Sequence, residues 1–203
     1  MNFCRAIALG VVGLLLAGDC FGWQHDVTLR GGAFAKVRTA ANGLLIGRIE
    51  ADSIVHDRPC QKGWLHLHPN GVASAFTAAR EIRLARAAIP AGTWVRQNPD
   101  GVVTVCAFLQ DTEVQGHRCR GTGGPKGVQV SFYPDGALKQ FFPPQPTTIN
   151  GVPCATGLVR GWIELHENGR LKSCRLADDL VRDSRKLRKG TRITLTPDGK
   201  IES

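Results

Sequence analysis

Apolar and polar residues alternate along most of this chain in short runs, and the runs come in pairs joined by an Asn-Gly or Asp-Gly dipeptide. The dipeptides are Asn42-Gly43, Asn70-Gly71, Asp100-Gly101, Asp135-Gly136, Asn168-Gly169 and Asp198-Gly199. Four and six residues before the turn glycine the chain is mostly apolar: Leu67 and Leu65, Phe132 and Val130, Leu165 and Ile163, Leu195 and Ile193. Gln97 with Val95 and Thr39 with Val37 keep the pattern in weaker form. Period-two alternation predicts strands with one buried and one wet face. The dipeptides favour φ > 0 at both central positions, which predicts type I′ turns between antiparallel strands. Pro69, Pro99, Pro134 and Pro197 precede four of them and end the incoming strand.

Successive turn glycines lie 28, 30, 35, 33 and 30 residues apart, an irregular repeat of one supersecondary unit. Outgoing strands carry Leu45, Val103, Leu138, Leu171 and Ile201 two residues after the glycine. A polar corner follows, as at Asp52, Asp111 and Asp178-Asp179, then a short third segment ending near Cys60, Cys119 or Cys154. Two stretches depart from this plan. Residues 76–90 and 176–189 are rich in Ala, Leu and Arg and predict about two turns of helix each. A single hairpin is marginal in water, so neighbouring units must stack to close a core. The fold predicted is all-β: about six antiparallel hairpin units stacked into one elongated sheet or roll, with minor helical insertions.

The segment Trp162-Ile163-Glu164-Leu165-His166-Glu167-Asn168-Gly169-Arg170-Leu171-Lys172 resembles the bacterial MORN-like β-hairpin repeat, a strand, an Asn/Asp-Gly-Lys/Arg-Leu turn and a strand. The resemblance extends over nearly all of residues 35–203. It implies a scaffold or interaction module and transfers no catalytic residue.

The N-terminus changes the setting. Arg5 followed by the apolar run 6–18 has the length of a signal-peptide core and is too short to span a bilayer comfortably. The expected division is a signal peptide over 1–22, an N-terminal extension over 23–34 and the repeat domain over 35–203. A rival reading places a lipid anchor on Cys20, with Asp19 standing where lipoprotein signals carry a small neutral residue. Either way the chain is expected to be secreted or periplasmic, with no membrane-crossing segment after signal removal.

The net charge is +9, and removing residues 1–22 takes away one Arg and one Asp and leaves it unchanged. A basic exported protein is attracted to anionic surfaces: headgroups, acidic glycans or cell-wall polymers. Export makes nucleic acid a poor partner. Seven cysteines are present, of which Cys60, Cys106, Cys119, Cys154 and Cys174 lie in the repeat region. An oxidising compartment favours disulfides, and pairing between repeat phases, such as Cys154 with Cys174 or Cys106 with Cys119, would staple a strand to a neighbouring corner.

Candidate chemistry sits on the outward positions of the incoming strands. Seven before the turn glycine the column reads Lys36, Trp64, Trp94, Gln129, Trp162, Arg192; five before it, Arg38, His66, Arg96, Ser131, Glu164, Thr194. In-register stacking would set three tryptophans in one line beside basic groups, able to stack on sugar rings while Arg engages acidic groups. The competing reading, which the burial habit of Trp favours, is that each indole caps the core. His66, His68 and His166 read as solvated strand histidines, with no third ligand for a metal. The cysteines lack an activating base. Gly121–Gly127 lacks the Gly-Lys-Ser/Thr ending of a phosphate loop and reads as a surface loop. Arg182, Arg185, Lys186, Arg188 and Lys189 read as a solvated basic face.

These features predict a non-enzymatic exported module for binding or scaffolding at the cell envelope, without metal or cofactor. Its expected contacts are Trp64, Trp94, Trp162, Arg96 and Arg192, and its expected partner is an anionic envelope surface, a glycan or a protein. The alternative is a secreted enzyme acting on cell-wall or glycan material through a loop-built site.

Overall fold

The computed structural model describes residues 22–29, 31–125, 127–182 and 184–202. The expected signal peptide and Cys20 fall outside the described residues, apart from Gly22. The architecture is all-β.

Strand β1 (Gln24–Leu29) leads into a first unit of two long-sheet strands, β2 (Gly32–Thr39) and β3 (Leu45–Ile49), and a small hairpin, β4 (Ser53–Val55) with β5 (Arg58–Cys60). The second unit is β6 (Gly63–Leu67), β7 (Ala73–Thr77) and the hairpin β8 (Ile82–Arg83) with β9 (Ala88–Ile89). The third is β10 (Trp94–Gln97), β11 (Val103–Ala107), then β12 (Thr112–Val114) with β13 (His117–Cys119). The fourth is β14 (Val130–Phe132), β15 (Leu138–Phe141), then β16 (Thr147–Ile149) with β17 (Val152–Cys154). The fifth is β18 (Ile163–Leu165), β19 (Leu171–Arg175), then β20 (Leu180–Arg182) with β21 (Arg185–Leu187). Strand β22 (Arg192–Thr194) closes the array, continued by a Leu195–Ile201 bridge.

The long-sheet strands pair antiparallel in chain order into one 12-stranded sheet, and each small hairpin forms its own two-stranded ribbon. At the usual strand spacing that sheet extends about 50 Å from β1 to β22. Alternate residues of each sheet strand face one continuous core. Leu65, Leu67, Phe76, Val95, Leu138, Phe141, Ile163 and Leu171 are all buried there. Val55, Ile82, Ile89, Val114, Ile149 and Val152 from the small hairpins join the same cluster. The ribbons thus form a second layer over one sheet face, and the other face is left to solvent.

Three expectations are corrected. First, the described residues of 76–90 and 176–189 contain no helix. Phe76 and Ala78 are buried while Thr77 faces out, and Ile82 and Ile89 pair across a ribbon. Helix propensity is a weak prior, and burial of Ile82 and Ile89 in the core under the sheet overrides it.

Second, the Asn/Asp-Gly turns are not type I′. In the second unit Gly71 N–H donates to the His68 carbonyl (2.8 Å) and His68 N–H to Val72 (2.8 Å), closing a loop one residue longer. Only the glycine is left-handed, with φ between 78° and 91° in the six turns. This is a type I turn ending in a left-handed glycine, the three-residue hairpin loop. Pro69, Pro99, Pro134 and Pro197 exclude the shorter loop in four of the turns, because a two-residue loop would need an N–H at the position that proline occupies. Asn42-Gly43 and Asn168-Gly169 close the same longer loop after Ala41 and Glu167. True two-residue turns with positive φ at both positions occur in the small ribbons, at His56-Asp57, Gln115-Gly116 and Asn150-Gly151.

Third, His66 is exposed as expected, but His68 and His166 are partly buried and bonded to backbone. His68 Nε2 lies 2.9 Å from the Gln97 carbonyl and His166 Nε2 lies 2.8 Å from that of Leu195, each in the next unit. Tyr133 hydroxyl donates to the equivalent carbonyl of Leu165 at 2.9 Å. The repeating corner aspartates are structural too: Asp52, Asp111 and Asp179 each accept a backbone N–H ten residues on, from Lys62, Gly121 and Lys189.

Candidate binding face

The solvent face of the sheet carries the polar phase of every incoming strand. Cross-strand register fixes which side chains adjoin. Arg48 faces Lys36 on one side and Trp64 on the other. Trp94 faces Thr77, and Arg96 and His66 both face Ala75, so Trp64, Thr77 and Trp94 follow one line across the sheet. Trp162 precedes Ile163, which faces Phe141, and reaches the same line four strands further along. By strand spacing Trp64 and Trp94 are about 10 Å apart and Trp94 and Trp162 about 19 Å.

The three indoles differ in what covers them. Arg192 lies over Trp162 with its guanidinium carbon 4.2 Å from the ring centroid. The same guanidinium donates to Ser173 Oγ at 2.6 Å and sits 3.8 Å from the Glu164 carboxylate. This end of the face is internally satisfied. Arg96 is 5.9 Å from the Trp94 ring, a looser contact. Trp64 is 51% exposed, the most open of the three.

Trp64 also has a partner outside the expected set. Trp23 packs against it with centroids 5.4 Å apart and planes tilted by 50°. Lys36 Nζ lies 5.1 Å from the Trp23 centroid and 5.2 Å from that of Trp64. Arg38 approaches Trp23 at 4.9 Å and Arg48 approaches Trp64 at 6.0 Å. Cations over indole faces are attracted by the ring quadrupole, which fixes ring and charge side by side. Trp23 was legible in principle. Trp23, His25, Val27 and Leu29 alternate as a strand does, but no turn dipeptide marks them as part of a unit.

The cysteines lie on the opposite, buried side of the sheet. Cys60, Cys106, Cys119, Cys154 and Cys174 are all buried thiols. Burial pushes Cys60 and Cys119 up to about 12. It also raises Cys106, with the nearby Cys119 adding to the shift. Cys154 and Cys174 are in direct contact. The Cys154 S–H points to the Val152 carbonyl at 3.5 Å. The closeness of the two sulfurs raises Cys154 and lowers Cys174, burial raises both, and the Arg192 charge lowers Cys174 further. Cys174 is therefore the thiol of the pair that ionises first.

Among the described residues no three His, Cys, Asp or Glu side chains converge as a metal site. A cavity of about 170 Å³ lies among the ribbons, lined in part by His117, Phe141 and Pro144. His117 is held below its ordinary range by burial and stacks on Phe141 at 5.3 Å. No helix among the described residues is long and apolar enough to cross a membrane.

The class that fold and face define is a stacked β-hairpin repeat protein with an aromatic and basic outer surface. No protein-family model, curated protein or solved structure matches the chain.

Proposed function

We propose that this chain is an exported, non-enzymatic β-repeat module, of MORN-like type, that binds an anionic envelope component on the outer face of its sheet. The observation that carries this reading is the line of Trp64, Trp94 and Trp162 on the face opposite the core, each with an arginine within cation–π reach. A rigid sheet holds these groups at fixed spacing, so little side-chain order is lost on binding. The net charge of +9 draws acidic polymers to the surface, and the aromatic rings supply contact area once they arrive.

Export also accounts for the thiol pair. Both sulfurs are enclosed in the finished fold, so in an oxidising compartment the exchange runs before the pair is buried. One of the two thiolates attacks a disulfide of an exported thiol–disulfide oxidoreductase, and the other then displaces that enzyme from the mixed disulfide. Two electrons pass to the oxidoreductase, and the two thiol protons pass to it and to solvent. The product is a Cys154–Cys174 disulfide between a ribbon and the sheet.

The test is retention of the exported chain on an immobilised acidic polysaccharide and on a neutral one of similar length. Retention on the acidic matrix alone, lost as salt rises, is the expected result. Equal behaviour on both matrices would overturn the reading.

A further inference from the structure

We propose that the ledge formed by Trp23, Trp64, Lys36, Arg38 and Arg48 is the primary binding site, and that it takes a carboxylate-bearing sugar chain. This rests on the outer-face reading above and assigns to one end of the sheet what that reading spreads along the line.

Three differences between the ends of the face support the assignment. The first is residual charge. Arg192 at the far end is neutralised by Glu164 and held by Ser173, whereas Lys36 and Arg38 form no ion pair among the described residues. Arg48 is shared with Glu50 at 3.4 Å, both exposed, so its charge is only partly offset. The second is open aromatic area. Trp23 and Trp64 are 39% and 51% exposed, while the Trp162 face is covered by Arg192. The third is shape. Two indoles meeting at 50° on a sheet surface form a ledge with cations along it, not an enclosed apolar slot.

That shape selects the ligand class. An acyl chain needs apolar enclosure, which a ledge rimmed by Lys36, Arg38 and Arg48 does not give. A sugar ring needs one flat aromatic platform for its C–H face, with donors beside it for ring substituents. Arginine matches a carboxylate in fork geometry, and Lys36 adds a point charge between the two rings. The outer row here runs across the strands, His25 facing Lys36, Lys36 facing Arg48 and Arg48 facing Trp64. A linear polymer lying along that row meets cation, cation and indole at one-strand intervals.

The experiment uses the exported full chain and polygalacturonate, with dextran and vesicles of anionic phospholipid as further arms. Binding is followed by calorimetry. Trp64→Ala and Lys36→Glu are each expected to weaken polygalacturonate binding by roughly tenfold or more, with Arg83→Ala, on an exposed ribbon away from the outer face, near wild type. Far-ultraviolet circular dichroism and thermal melting establish that the variants fold, and Lys36→Glu leaves both indoles in place. If Arg192→Ala loses binding and Trp64→Ala does not, the ledge is not the site and the outer-face reading survives. If the wild type binds only anionic vesicles, the sugar assignment is wrong. If it binds none of the three, both readings fall.

Discussion

His166 Nε2 lies 2.8 Å from the carbonyl oxygen of Leu195, 29 residues further along the chain. A carbonyl only accepts, so Nε2 carries a proton and donates it to this bond. His68 makes the same bond to Gln97, and Tyr133 to Leu165. The turns of successive units are thus tied side chain to backbone, beyond the strand pairing that joins their sheets. Asn70 and Asn168 add parallel bonds to the Pro99 and Pro197 carbonyls.

Replacing His166 or His68 by Ala removes that bond and strands a partly buried carbonyl, at a cost of roughly 1–2 kcal/mol each. The two sites lie in different units and share no partner, so the double variant is expected to show the sum. Chemical denaturation of the two single variants and the double variant measures this.

The turn glycines allow a cleaner test of backbone strain. Gly169 has φ 79°, and a Cβ built there meets nothing within 4 Å. Gly169→Ala therefore carries only the left-handed penalty, about 1–2 kcal/mol, and Gly169→Asn less. Gly47 is the opposite case, an extended position where a Cβ would come 2.6 Å from the Phe34 ring. Gly47→Ala must displace that ring and is expected to cost more than Gly169→Ala. Denaturation midpoints of the three variants rank the effects.

Buried thiols set an alkaline limit. Cys60 and Cys119 titrate near 9.0 when unfolded and are pushed up to about 12 by burial in the fold. Their folded pKa values are raised, so the contribution is complete below pH 9.0. It is lost as pH rises from 9.0 towards about 12, because only the unfolded chain releases those protons. Stability measured at rising pH is expected to fall across that window, and a Cys60→Ala, Cys119→Ala variant to fall less.

The Cys154–Cys174 bridge proposed for the exported chain predicts sensitivity to reductant. Closing a loop of that length stabilises by about 3 kcal/mol in the chain-entropy description. Dithiothreitol is expected to lower the denaturation midpoint of the exported chain, with Cys154→Ala, Cys174→Ala insensitive. Peptide mapping without reductant identifies the bridge directly.

The sheet was legible because its signal is local. Leu65 and Leu67 or Ile163 and Leu165 alternate beside a turn dipeptide, and that pattern has one structural reading. The small ribbons were half legible. Glu113-Val114 and Arg118-Cys119 are too short to carry a period, and residues 76–90 read as helix because Ala and Arg favour helix in isolation. Only the neighbouring sheet, which buries Ile82 and Ile89, makes them strands. The proline before four of the turns marks a strand end and also excludes the two-residue loop, while the turns without proline give no local sign of the longer one. The outward Trp line followed from repeat phase. Trp23 did not, because it pairs with Trp64 across strands and not along the sequence.

The most direct measurement is quenching of Trp64 by acrylamide in a variant whose other tryptophans are replaced by Phe, with and without polygalacturonate. An outer-face binding module predicts ready quenching of the free protein and clear protection once the polymer is bound. An indole that resists quenching without ligand, or is equally quenched with the polymer at saturation, would contradict the assignment of this face as the binding surface.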